Sequence, residues 1–188
     1  MGQRDGKSLS ALGFLTVVPH EQHGLFGGLL VLDSGGRPLE FHCTAPVKTN
    51  RAQEILFGPT LEPYLYGEQI GQTLVSAARQ KPVVVCIDLL AMLAIRQHVE
   101  IPVALVHASP ADDEIEKSRK NFRVDEAHDS SRAVSFQLAR HHLAVAADYR
   151  EDESLVSQRL AAFSERLDLT EPFARIREAI EEAQRSGR

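Results

Sequence analysis

The sequence predicts an α+β fold: an N-terminal antiparallel β-meander, central helices, two further strands and a C-terminal helical pair. Three observations carry this expectation. Residues 11–44 hold three short apolar runs separated by turn-forming residues. Residues 50–80 carry helix-start and helix-stop signals. The last forty or so residues place apolar side chains at four-and-three spacings, the stripe of an amphipathic helix (roughly one residue per 100° of turn).

In chain order, residues 11–18 read as the first strand. Residues 19–24 are turn-prone, residues 25–32 form a second apolar run, and Asp33-Ser34-Gly35-Gly36 supplies the chemistry of a hairpin turn. In the third run Leu39, Phe41 and Cys43 alternate with Glu40, His42 and Thr44, so the apolar set is expected to face the core and the polar set the solvent. Gly27-Gly28 predicts a bulge or a close backbone approach, and Pro38 suits a strand start or an edge.

Asn50 followed three residues later by Gln53 has the form of a capping box, with a stop at Gly58-Pro59. A longer helix is expected after Pro63, its stripe made of Tyr66, Ile70, Leu74 and Ala77; Gly67 and Gly71 mark a face where another element can come close. Lys81-Pro82 ends it. Residues 83–87 are continuously apolar, as in a strand covered on both faces, and Asp88 stands where it ends, as a candidate N-cap for a short helix over residues 89–97. Residues 101–107 give another strand, parallel to the previous one if joined by a short crossover. Residues 109–131 are polar and charged. Residues 133–147 fit a strand by the alternation of Val134, Phe136 and Leu138, or a helix by their later alanines. Val156, Leu160, Phe163 and Leu167 form one terminal stripe, and Phe173, Ile176, Ile180 and Ala183 another that starts after Thr170.

With 188 residues and 43% hydrophobic content the chain has enough material for one core, so the expected organisation is a body over residues 1–150 and a helical hairpin or extension over residues 151–188. Lys and Arg number 21 against 26 Asp and Glu, a formal net charge of −5, which argues against a surface given over entirely to nucleic acid or anionic lipid. Two cysteines inside apolar runs, Cys43 and Cys86, predict buried thiols in a reducing compartment. Arg4 and Lys7 precede an apolar stretch, but the following Pro19-His20-Glu21 has no small-x-small cleavage pattern, and Gly6 stands where a myristoylation signal wants Ser or Thr. No apolar run reaches the ~18 to 20 residues of a membrane span, so a cytoplasmic location is expected.

Several constellations bear chemistry. Asp33 ends a strand, Glu68 lies in the following helix, Asp88 ends the next apolar strand and Asp148 comes later, near a helix. That order resembles the ribonuclease H-like arrangement. The resemblance, one of topology and spacing, implies a nuclease that holds Mg²⁺ or Mn²⁺ on Asp33, Asp88 and Asp148, because hard divalent ions in phosphoryl-transfer sites need several converging carboxylates. Two features depart from the pattern, which wants three antiparallel strands between its first carboxylate and the end of the meander: one strand precedes Asp33 and only one clearly follows, and Glu68 is two residues from Ile70, about 200° away from the apolar stripe. Longin- and roadblock-like scaffolds share the same element order.

His20, His23, His42 and Cys43 offer ligands for zinc, although neighbouring strand residues such as His42 and Cys43 point to opposite faces. Cys86 lacks the electropositive, exposed setting of a nucleophile, and the pair His141-His142 has no companion motif and reads as surface or interface. The glycine-bearing turns lack a strand before and a helix after, so they do not read as phosphate loops, and Arg119, Lys120 and Arg123 are offset by neighbouring acids. With two well-patterned terminal helices and no convincing catalytic set, the leading expectation is a non-enzymatic interaction or regulatory module that binds a protein partner, or itself, through those helices or a sheet edge. The nuclease is its alternative, and nucleic acid is expected as a partner only under that alternative.

Overall fold

A computed structural model describes residues 10–107 and 133–186. The charged stretch over residues 109–131, with Arg119, Lys120 and Arg123, lies outside the described residues. The chain forms a mixed α+β structure around one seven-stranded sheet of order β3-β2-β1-β4-β5-β7-β6. β1 (Leu12–His20), β2 (Gly24–Leu32) and β3 (Pro38–Cys43) are the antiparallel meander; β4 (Val84–Ile87) and β5 (Val103–Val106) run parallel to β1; β6 (Ala133–Leu138) and β7 (His141–Ala146) form a hairpin whose β7 pairs antiparallel with β5.

The central strands are apolar throughout because both of their faces are covered. Leu12 and Phe14 of β1 and Val84 and Cys86 of β4 face one core, completed by α3 (Asp152–Ser164) and α4 (Glu171–Ser186). Leu15, Val17, Val85 and Ile87 face the other, completed by the helical run α2 and by the 3-10 helix Leu90–Gln97. α2 comprises Leu61–Pro63, a π-helical stretch Tyr64–Gln72 and Thr73–Ala77. Gly27 and Gly28 show why β2 carries two glycines: a Cβ on Gly27 would collide with Ile70 of α2, and one on Gly28 with Ile176 of α4. The close approach foreseen for this pair occurs on both faces of the sheet at once.

Before α2, α1 (Arg51–Phe57) starts with the foreseen capping box: the Gln53 backbone N–H donates to Asn50 Oδ1 at 2.9 Å and the Asn50 N–H donates to Gln53 Oε1 at 3.1 Å. It ends at Gly58, whose φ is +49°.

Four expectations change. Ile70 and Leu74 are buried as expected, but Ala77 is exposed and Ala78 is buried in its place, because the chain leaves the helix there and Ala78 is its extended C-cap. In β3 the faces are reversed in effect: Leu39 and Phe41 are 38% and 42% exposed, while Glu40 is half-buried and accepts the backbone N–H groups of Arg79 and Gln80 at 3.0 and 2.7 Å. The reason is that β3 is the sheet edge, and α4 packs on β1 and β2 without reaching over it. Cys43, on this strand, is exposed, whereas Cys86 is buried as expected. Residues 133–147 resolve to a β-hairpin turning at Ala139, which takes a φ of +52°.

α3 and α4 lie on the sheet. Val156, Leu160 and Phe163 of α3 and Phe173, Ile176 and Ile180 of α4 are all in the same core as Leu12 and Phe14, and the Phe14 and Phe173 rings meet edge-on at 5.7 Å. A buried ion pair pins the start of α3: Arg96, at the end of the 3-10 helix, donates Nε to Asp152 Oδ2 at 2.6 Å and Nη2 to Oδ1 at 3.2 Å, and lies over the Tyr149 ring.

Candidate functional site

Asp88 follows the last residue of β4, the strand between β1 and β5 in the parallel part of the sheet. Carboxyl ends of parallel strands, where the connections diverge, are where open sheets form ligand crevices. Two residues beyond Cys86, the Asp88 side chain points to the same face as Phe14 and Cys86, under α4. It does not cap the next helix, whose N-cap is Leu89 without a side-chain bond. Its Oδ2 instead pairs with Nη2 of Arg177 from α4, and its Oδ1 is buried without a partner. The side chain of Asp88 is 13% exposed and that of Arg177 42%.

The register defines what surrounds this carboxylate. Leu15 pairs with Ile87 and Ile87 with Leu105, so one step further Asp88 is level with Thr16 on one side and Val106 on the other. Thr16 pairs in turn with Gly28, and Val106 with Leu143. Thr16 is fully buried and its Oγ1, like Asp88 Oδ1, has no partner. The row across that face of the sheet is therefore Gly28, Thr16, Asp88, Val106 and Leu143, with one acidic side chain in it.

The other acids stand elsewhere. Asp33 follows Leu32, which pairs with Leu12 at the start of β1, so about five strand steps, ~16 Å, separate its level from that of Asp88. Its Oδ1 accepts the N–H groups of Gly35 and Arg37 at 2.8 and 3.0 Å and so builds the β2–β3 turn. Asp148 is exposed, in a 3-10 turn after β7; that strand ends beside the beginning of β5, again away from Asp88. Glu68 is exposed on α2. Among the described residues no three His, Cys, Asp or Glu side chains are grouped to hold a metal ion.

The zinc reading meets the same result. His20 and His23 face each other in the β1–β2 turn with Nδ1 atoms 3.1 Å apart, while His42 Nε2 lies 2.8 Å from Glu40 Oε2. That contact, with the two backbone donors from Arg79 and Gln80, holds the Glu40 carboxyl below its usual range. Complete burial pushes the Cys86 thiol up to about 12, the opposite of an activated nucleophile. His142 is exposed as expected of a surface pair, but His141 is only 6% exposed and its Nε2 is unpaired.

Sequence reasoning missed Thr16 and Arg177. Thr16 is the lone hydroxyl in an otherwise apolar strand, a signal that was available. Arg177 lies outside the apolar stripe of its helix and carries no local signal, and only the docking of α4 brings it to Asp88.

No family model and no curated protein matches the chain. Solved structures similar to it include Endonuclease V of Ciona intestinalis in complex with a 24mer DNA containing an inosine followed by a ribo-adenosine, at 9% identity and a TM-score of 0.45, covering 93% of this chain and 87% of that one. Human Endonuclease V is similar at 13% identity and a TM-score of 0.42, covering 97% and 89%. The catalytic domain of the human enzyme is similar at 15% identity and a TM-score of 0.39, covering 96% and 87%. The expectation of a non-enzymatic interaction module is corrected at this point. The similar structures are nucleases, and the apolar stripes of α3 and α4 that were to receive a partner are spent on the sheet.

Proposed function

We propose that the protein acts on nucleic acid as a nuclease, working at the carboxyl ends of β1 and β4 around Asp88. The observation that carries this reading is a sheet ordered β3-β2-β1-β4-β5, with β1, β4 and β5 parallel and a carboxylate directly after the end of β4. The three-stranded antiparallel meander is present, although Asp33 lies in its β2–β3 turn with only β3 after it, so Asp33 does not hold the place of the first carboxylate in the ribonuclease H-like resemblance. Nucleic acid is then the partner and the cytoplasm the location. Among the described residues no helix is long and apolar enough to cross a membrane.

The residues at this end do not fit a two-metal centre. Among the described residues Asp88 is the only carboxylate in its row, Thr16 is a neutral neighbour, and Arg177 already takes one of the two carboxylate oxygens. What the chain itself supplies is a half-buried carboxylate fixed by a guanidinium, beside an unpaired hydroxyl.

The test is cleavage of labelled single-stranded DNA, duplex DNA, RNA, and a DNA carrying inosine followed by ribo-adenosine, in Mg²⁺, in Mn²⁺ and in EDTA. The reading expects the wild type and Asp33→Ala to cleave at least one of these, and Asp88→Asn to lose about 100-fold or more. A folded wild type that cleaves none of them, or an Asp88→Asn variant as active as wild type, ends the proposal.

A further inference from the structure

We infer that Arg177 stands where a divalent cation would stand at the Asp88 centre, so that the carboxylate is neutralised from within the chain and the centre takes no Mg²⁺ or Mn²⁺. The inference rests on the site named in the nuclease reading, but it concerns the charge balance of that site and is tested separately.

The ligands at the level of Asp88 decide the matter first. A hard divalent ion takes about six oxygens and favours several anionic ones. The side chains level with Asp88 on that face are Thr16, Val106 and Leu143, with Gly28 beyond Thr16, so the row offers one carboxylate and one hydroxyl. With Asp88 Oδ2 bonded to Arg177, the side-chain oxygens left over in the row among the described residues are Asp88 Oδ1 and Thr16 Oγ1, both buried and unpaired. Two oxygens, one of them neutral, are a poor shell for either ion.

The delivery of the guanidinium decides it second. Arg177 is carried by a helix seated through Phe173 on Phe14 and through Ile176 and Ile180 over the Gly28 hollow, all buried. Lifting α4 would expose these side chains, so the helix holds the Arg177 backbone over Asp88 and keeps the guanidinium within reach of it. A planar guanidinium keeps its charge at every physiological pH and matches a carboxylate in geometry as well as sign. A dication approaching the same carboxylate would meet that charge a few ångströms away, on the part-buried side of the pair where water screens it less than in bulk.

The experiment measures Mn²⁺ binding to the full chain by electron paramagnetic resonance and by thermal shift, with Mn²⁺ alone as probe. Wild type and Asp88→Asn are expected to bind Mn²⁺ equally weakly. Arg177→Gln, with the charge removed and most of the stem kept, is expected to bind it at least about tenfold more tightly, and Arg177→Gln/Asp88→Asn to lose that gain. Weaker Mn²⁺ binding by Asp88→Asn than by wild type overturns the inference, and this comparison does not depend on Arg177→Gln folding. A folded Arg177→Gln protein with wild-type affinity overturns it as well. Failure to cleave any nucleic acid would end the nuclease reading while leaving these binding results as they are, whereas Mn²⁺ bound through Asp88 in the wild type would do the reverse.

Discussion

Replacing Asp152 with Ala tests how the C-terminal helices are held to the sheet. Asp152 is 1% exposed and its partner Arg96 16%, and the two share a bidentate contact of 2.6 and 3.2 Å. Removing the carboxylate leaves the guanidinium with the Val99 carbonyl at 3.0 Å and the face of Tyr149, but with no negative charge in contact. Breaking a buried pair from one side costs about 3–5 kcal/mol, since the surviving ion keeps its desolvation penalty. Asp152 also lies in the first turn of α3, where a negative charge adds ~0.3–1 kcal/mol through the helix dipole. For a chain of this size each kcal/mol moves the melting temperature by about 2–4 °C, so a fall of roughly 6–20 °C is expected. Urea and thermal unfolding followed by circular dichroism measure it. The loss should be nearly the same from about 0.05 to 0.5 M salt, because a buried pair is poorly screened. The double variant Arg96→Met/Asp152→Leu should recover most of the stability, since a packed apolar pair removes both desolvation penalties. A loss under about 1 kcal/mol, or one that disappears in high salt, would refute the reasoning and make the pair a surface contact.

Gly28→Val should destabilise by about 1–3 kcal/mol by pushing α4 off β2, whereas Gly35→Ala, whose new Cβ would meet only Asp33 Oδ1 at 3.4 Å, should be close to neutral; paired urea titrations distinguish them. The Glu40 carboxyl is depressed in the folded protein, so its contribution is present above the ordinary carboxylate pKa of about 4.3 and is lost as pH falls through the lower folded value. Amide exchange at Arg79 and Gln80 should therefore accelerate relative to neighbouring amides at the acid end of a pH series, and Glu40→Ala should abolish that dependence; a flat profile in wild type counts against the latch. A thiol reagent should modify Cys43 in the native protein and reach Cys86 only on unfolding, since Cys86 is fully buried with its thiol pushed up to about 12. Two fast-reacting thiols under native conditions would contradict the packing of β4.

The sequence by itself determined the elements. The capping box at Asn50 and Gln53, the hairpin turn at Asp33 and the unbroken apolar run of β4 are local or periodic signals, and each formed as its chemistry dictates. Some of the misreadings have the same local origin. A period of 3.6 residues cannot foresee a π-helical stretch, and alternation in β3 marks two faces without saying which of them would be covered at the edge. Which acids matter was beyond local reach. Asp33 and Asp88 look alike in sequence, each closing an apolar run, yet parallel pairing of β1 with β4 and antiparallel pairing with β2 send them to opposite ends of the sheet. The −5 charge balance was equally silent about Arg177, because a net count says nothing of which cation a carboxylate meets. That meeting depends on the Gly28 hollow admitting Ile176 and so setting the height and rotation of α4 over Thr16 and Asp88, a contact across nearly 150 residues that only the tertiary structure decides.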